Sequence, residues 1–151
     1  MCIRDRDNLS WNENSIAFYY VSKLAQDNGL TTVVTANGID ELFCGYNSYR
    51  EAISIGENEV VKMINSKLEN EKQMMIPVNN VVSKFGVQII QPLLSPSFIA
   101  FAKKIPISEK IFGSDDLMRK HAIRSLAIDC DVPEISARKK KKALQYGSQI
   151  P

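Results

Sequence analysis

"LTTVVTANGIDELF", Leu30 to Phe43, decides the fold. Leu30 to Thr35 is rich in β-branched residues and predicts a strand, the clearest in the chain. Asn37-Gly38 then marks a turn. Asp40 and Glu41 follow, two acids of the kind that favour a first helical turn because the helix dipole is positive there. Strand, turn and helix in this order are α/β grammar. In α/β sheets, ligands collect outside the carboxyl ends of the strands, and Thr35 to Asp40 lies at such an end.

Upstream, Ser10-Trp-Asn-Glu13 fits a capping box. Ile16, Ala17, Tyr20, Leu24 and Ala25 then recur at helical spacing, and Asn28-Gly29 ends that helix. Downstream, a second helix is expected from about Asp40 to Ile55, with Gly56 as its stop. A third covers roughly Glu57 to Met75 and ends before Pro77, since proline lacks the N–H a helix interior needs. A short helix reaches Phe85 and is capped by Gly86. Val87 to Pro96 reads as extended or irregular. Ser95-Pro96 opens a helix that Pro106 closes. Ser114 caps another through about Ile128, and Pro133 opens a last short helix that runs into the lysines.

The composition excludes several chemistries. Three cysteines stand far apart, with no CxxC pair and a single histidine, His121, so neither a disulfide framework nor a zinc finger is expected. His121 has no nucleophile motif near it that would make a serine triad. No run of 18 apolar residues and no charged-then-apolar leader occurs, so a membrane partner is not expected and the expected location is cytoplasmic. The net charge of +2 selects no partner, but "RKKKK", Arg138 to Lys142, concentrates five basic residues. Such a run is a solvated face, a nonspecific nucleic-acid patch, or a local cationic site.

The residues after the strand can carry chemistry. Gly38 lets backbone approach a ligand closely, Thr35 can hydrogen-bond a nucleotide, and Asp40 can hold a Mg²⁺ that bridges phosphate oxygens. Simpler readings stand beside these: Asn-Gly as a hairpin turn, the acids as dipole partners, and Phe43, Tyr46 and Tyr49 as a packed face. Gly45 inside a helix costs about 1 kcal/mol relative to alanine, which points to a close approach by another element.

"TANGIDELFCGYNSYR" resembles the signature of the asparagine synthetase C-terminal domain, a member of the PP-loop ATP pyrophosphatase group. Gly38, Asp40, Glu41, Leu42, Phe43, Gly45 and Tyr46 stand where its Ser-Gly-Asp/Glu-Gly-x-Asp-Glu-Leu/Val-Phe-x-Gly-Tyr pattern expects them. The chain departs at Thr35 for serine, Ala36 for glycine and Asn37 for an acid implicated in catalysis. "GVQIIQPLLSPSFIAFAKKIP" is similar to the family's G-V-E-x-R-x-P-F-L-D segment, with Gln88, Ile90 and Ser95 replacing an acid, an arginine and an aspartate. "DDLMRKHAIRSL" resembles its K-x-x-L-R-x-A helix, and "PEISARKKKKALQYGS" its closing R-x-K element.

The resemblance implies a Rossmann-like α/β core with a mostly helical C-terminal half. It implies ATP-dependent adenylation of a carboxylate, aspartate by default, with release of Mg-pyrophosphate. Ammonia derived from glutamine then attacks. It assigns Thr35, Ala36, Gly38 and Asp40 to the nucleotide, Asp40 to Mg²⁺, and Lys140 or Lys141, with Asn37, to catalysis. Lys140 follows from counting R-x-K forward, Lys141 from counting back from "ALQYGS".

Residues 1–7, "MCIRDRD", look like a non-native scar, and a single convincing strand suggests that residues 8–151 are the C-terminal part of a larger domain. The 151 residues contain no S-G-G-x-D-S phosphate loop, so an N-terminal half bearing it is expected to be required. Two alternatives remain: a β-lactam-type or other amide-forming synthetase with a different carboxylate, and a helical nucleic-acid-binding module built on Arg138 to Lys142.

Overall fold

The computed structural model describes residues 9–140, with side chains from residue 14 onward. Helix α1 is Leu9–Asp27, strand β1 Thr32–Val34, α2 Ile39–Leu42, α3 Ser48–Ile55 and α4 Glu57–Val82. Strand β2 is Gln88–Ile90, followed by α5 Pro96–Lys104, α6 His121–Asp129 and α7 Glu134–Ala137. The scar assignment, Lys141 and Lys142 lie outside the described residues. The described residues form two compact units, residues 9–38 with 68–98, and residues 39–67 with 99–140.

In the first unit β1 and β2 pair in parallel, Thr32 with Gln88, Val33 with Ile89, Val34 with Ile90. The expectation of one lone strand is thereby corrected: Gln88–Ile90, read as extended or irregular, is β1's neighbour. Three residues are too few for alternation to show in sequence. Val33 and Ile89 face a core of Ala25, Met74, Met75, Val78, Val82 and Val87, while Val34 and Ile90 are exposed on the other face.

Helix α1 ends where Asn28-Gly29 predicts, with Gly29 at φ 69°. It already includes Leu9 and Ser10, and the side chains of the Ser10–Glu13 box lie outside the described ones. Its inward stripe is Ser15, Phe18, Ser22 and Ala25, whereas Ile16, Tyr20 and Leu24 are exposed. Small serines on the inner face allow a close approach that the larger residues would block.

Helix α4 does not stop before Pro77 but runs through it to Val82. The buried positions Leu68, Glu71, Met74, Met75, Val78 and Val82 keep helical spacing across the proline. Burying Val78 and Val82 is worth about 1.5–3 kcal/mol each, enough to offset the roughly 3 kcal/mol an interior proline costs. Beyond it a short 3₁₀ turn, Ser83–Phe85, closes on Gly86 in the left-handed region, as the capping glycine predicts.

In the second unit the helix expected from Asp40 to Ile55 is broken in two. Cys44 takes φ 58°, and the Gly45 N–H bonds the Asp40 carbonyl at 2.7 Å, closing α2 after one turn. Ser95 does cap α5, its Oγ accepting from the Phe98 N–H at 3.3 Å. Helix α6 starts at His121 rather than near Ser114, because Arg119 and Lys120 are both left-handed, at φ 50° and 55°. Helix α7 follows Pro133 as expected but ends at Ala137, before the lysines.

Candidate active site

In the first unit the polar groups gather at the carboxyl ends of the two strands. The Thr35 N–H continues the ladder to the Ile90 carbonyl at 3.0 Å. Thr35 Oγ1 is buried and, among the described residues, has no hydrogen-bond partner. Ala36 is exposed. Gly38 sits at φ 98°, and a Cβ there would lie 2.6 Å from Leu94 Cδ2. The close approach that this glycine permits is therefore made by Leu94, not by a ligand alone. Asn37 Nδ2 donates to Glu71 Oε1 at 2.7 Å. Glu71, on α4, is buried, so the acid missing at position 37 has a carboxylate as its immediate neighbour.

In the second unit Asp40 is half of an ion pair. Lys120 Nζ lies 2.9 Å from Asp40 Oδ1, with both side chains about four-fifths buried (18% and 22% exposed). The short α2 and the Cys44 turn hold the acid: a Cβ on Gly45 would fall 1.9 Å from Asp40 Oδ1. The close approach expected at Gly45 is thus to the carboxylate five residues earlier. Glu41 is buried and accepts from the Tyr46 hydroxyl, while the Tyr49 hydroxyl donates to the Glu41 carbonyl at 2.7 Å. Phe43 and Tyr49 are buried and Tyr46 stacks on Tyr49, so the aromatic set is a packed face. Burial pushes the Cys44 thiol up to about 12, against the pull of Lys110 and Arg119, which makes it a poor nucleophile at neutral pH.

The turn that delivers Lys120 is organised by Asp116. Its carboxylate accepts from the N–H groups of Phe112, Met118 and Arg119 at 2.9–3.0 Å and bonds His121 Nε2 at 2.7 Å. Burial opposes its ionisation, yet these bonds outweigh burial and hold the carboxyl down at about 2. His121 also stacks on Phe112. Arg119 Nε reaches the Gly45 carbonyl at 3.3 Å, docking the turn beside Asp40.

Arg124 links this turn to the basic run. Its guanidinium donates to the carbonyls of Arg119 (2.7 Å), Met118 (2.9 Å) and Lys139 (3.0 Å), and to that of Ala137. One planar fork so spans the residues just before Lys120 and those just before Lys140. Lys140 is exposed, and Lys141 lies outside the described residues. The cation that pairs with Asp40 is Lys120, which the sequence reading did not single out. Its signal was present, because Lys120 and Arg124 are the Lys and Arg of the K-x-x-L-R-like stretch.

The family-model match covers the amino-terminal part of these elements. The family model of asparagine synthase matches residues 1–84, which hold β1, the Thr35–Gly38 turn, Asp40 and Glu71. The chain belongs to the asparagine synthase family. That family lies in the PP-loop ATP pyrophosphatase superfamily. A Methanocaldococcus jannaschii protein named "Putative asparagine synthetase (glutamine-hydrolyzing) 1" is 28% identical over 167 residues, an alignment covering 88% of this chain. The chain spans 30% of that relative's length. Among the described residues no helix is long and apolar enough to cross a membrane.

Proposed function

We propose that this chain contributes the pyrophosphate side of an ATP-dependent, carboxylate-adenylating, amide-forming site, with aspartate as the default substrate. The observation that carries the reading is the Asp40–Lys120 pair, whose acid stands in the family motif. In the reaction a carboxylate oxygen of the acceptor attacks the α-phosphorus of ATP, and the bond to the pyrophosphate oxygen breaks. The acyl-adenylate carbon is then attacked by ammonia; the C–O bond to AMP breaks with its electron pair, and nitrogen loses a proton. Adenylation turns a poor leaving oxygen into a good one.

Among the described residues no group of three or more His, Cys, Asp or Glu forms a metal cage. One carboxylate suits Mg²⁺ nonetheless, because this ion keeps waters and takes its other ligands from phosphates. Asp40 is such a carboxylate and would give the ion one ligand beside Lys120. Bound there, Mg²⁺ would neutralise charge on the departing pyrophosphate. Lys120 Nζ provides a fixed positive charge for the same group, in a partly buried place where charge acts strongly. Lys140 or Lys141 adds a further cation, and Arg124 bonds the carbonyls of Ala137 and Lys139 just before Lys140. Thr35 and Ala36 bind the nucleotide at the strand end, within a Rossmann-like core completed by an N-terminal half bearing S-G-G-x-D-S. Ammonia would come from glutamine, and the enzyme would work in the cytoplasm.

A different acceptor carboxylate is the second reading. It is favoured by Asn37, whose amide is committed to Glu71, and by Ile90, exposed where the pattern has arginine. Pyrophosphate release, measured on the chain joined to an S-G-G-x-D-S-bearing half over a panel of acidic amino acids, tests both. Release with aspartate supports the default, release with another acid alone supports the second reading, and no release with any acid contradicts both.

A further inference from the structure

Thr35 Oγ1 and Gln91 Nε2 are both buried without a hydrogen-bond partner among the described residues. They are also neighbours. The parallel register Thr32–Gln88, Val33–Ile89, Val34–Ile90, carried one residue further along the Thr35 N–H to Ile90 carbonyl bond, sets Thr35 beside Gln91. Because side chains alternate along a strand, this pair falls on the same face as Val33 and Ile89, the face that packs on the core. An apolar pair would continue the pattern, and two polar side chains break it at one level.

An unpaired buried polar group weakens a fold, so its presence calls for a reason. Two other buried hydroxyls lack partners, Ser22 and Ser48. Ser22 sits inside α1, where a serine hydroxyl has its own helix's carbonyls within a rotation, and Ser48 opens α3, beside the N–H groups of a first helical turn. Thr35 and Gln91 lie outside the helices, each one residue past its strand. They occupy the carboxyl ends of two adjacent parallel strands, where ligands of α/β folds bind.

We infer that Gln91 is a ligand-binding residue that acts with Thr35, and that the pair takes an uncharged hydrogen-bonding edge of a nucleoside, a sugar hydroxyl or a ring nitrogen. The chemistry selects this class. Gln91 Nε2 can only donate, Thr35 Oγ1 can donate or accept, and neither carries charge, so the pair suits a neutral acceptor with a neighbouring hydroxyl better than a phosphate. The inference rests on the nucleotide reading of Thr35 and adds a residue that the family pattern leaves open, the x before Pro92.

The test separates a ligand site from a packing defect by setting stability against binding. In the full-length protein, Thr35→Val and Gln91→Leu each replace the orphaned group by an apolar one of similar shape. Each variant is expected to raise the melting temperature of the ligand-free protein by about 3 °C or more, as relief of an unpaired buried group should. Each is also expected to weaken adenosine binding about three- to ten-fold by calorimetry, and to leave pyrophosphate binding unchanged. 2′-Deoxyadenosine and purine riboside, run alongside, separate the sugar from the base as the bonded edge. If wild type binds adenosine and both variants bind it equally well, the inference fails and the nucleotide reading stands. If wild type binds neither adenosine nor AMP, the nucleotide reading fails and takes the inference with it. Gln91→Met provides a second apolar variant should Gln91→Leu not fold.

Discussion

Lys120 and Asp40 are 80 residues apart in sequence and 2.9 Å apart in the fold. Each end is fixed by its backbone: Asp40 by the Gly45 N–H on its carbonyl, Lys120 by its left-handed φ of 55°. Such a pair contributes little to stability, about 1 kcal/mol, since partial desolvation offsets its attraction. Its weight should fall on the reaction. Lys120→Met is expected to lower kcat/KM for pyrophosphate release about 100-fold and, because it takes away the cation beside a largely buried Asp40, to cost up to about 3 kcal/mol of stability as well. Kinetics and thermal melts on the same preparation check both halves.

Gly45 should be irreplaceable for a steric reason. Its φ is not positive, so backbone strain is not the obstacle. The obstacle is Asp40 Oδ1, 1.9 Å from any added Cβ. Gly45→Ala is expected to push Asp40 away from Lys120 and to cost about 1–3 kcal/mol, as overpacking does. Its activity should match that of Lys120→Met, and a crystal structure of the variant should show the ion pair broken.

Asn37 and Glu71 should behave as a coupled pair. Asn37→Asp sets two carboxylates against each other at the present 2.7 Å contact and should destabilise the fold. Adding Glu71→Gln reverses donor and acceptor and restores the bond, now with the carboxylate at position 37. The double variant is expected to recover most of the lost stability, with a coupling energy on the order of 1–3 kcal/mol in a double-mutant cycle by denaturant unfolding. Additive effects would show that the two side chains do not interact.

Asp116 sets an acid limit. Its carboxyl is held at about 2 in the fold, below its ordinary value of 3.8. A depressed carboxyl adds stability that is fully present above the unfolded value and is lost as pH falls through the folded one. The expected loss between about pH 4 and pH 2 is on the order of 1 kcal/mol after screening by solvent. Asp116→Asn should remove this part of the acid profile and loosen the turn that carries Lys120. Denaturant unfolding across that pH range measures it.

Local chemistry made some of these features legible in sequence and long-range contacts hid others. Gly29, Gly86, Ser95 and Pro133 mark boundaries through their own backbone or capping preferences, and the chain obeys them. Pro77 misleads because two buried valines beyond it outweigh its local cost. Gly45 announces a close approach, but only the Cys44 turn reveals that the neighbour is Asp40. The break at Cys44 and the paired left-handed residues Arg119 and Lys120 carry no glycine or asparagine to signal them. Lys120 therefore stayed hidden behind the more conspicuous "RKKKK", although it stands in the Lys-x-x-Ile-Arg stretch that resembles the family.

Asp40 is expected to manage the charge of departing pyrophosphate. ATP–pyrophosphate exchange in the full-length enzyme, with magnesium and the best acidic amino acid, compares wild type with Asp40→Asn, a change that removes charge and keeps shape. The expected loss of transition-state stabilisation is on the order of 3 kcal/mol, about 100-fold in exchange rate. Exchange at a near-normal rate in Asp40→Asn would contradict the account and leave Asp40 as a partner of the helix dipole.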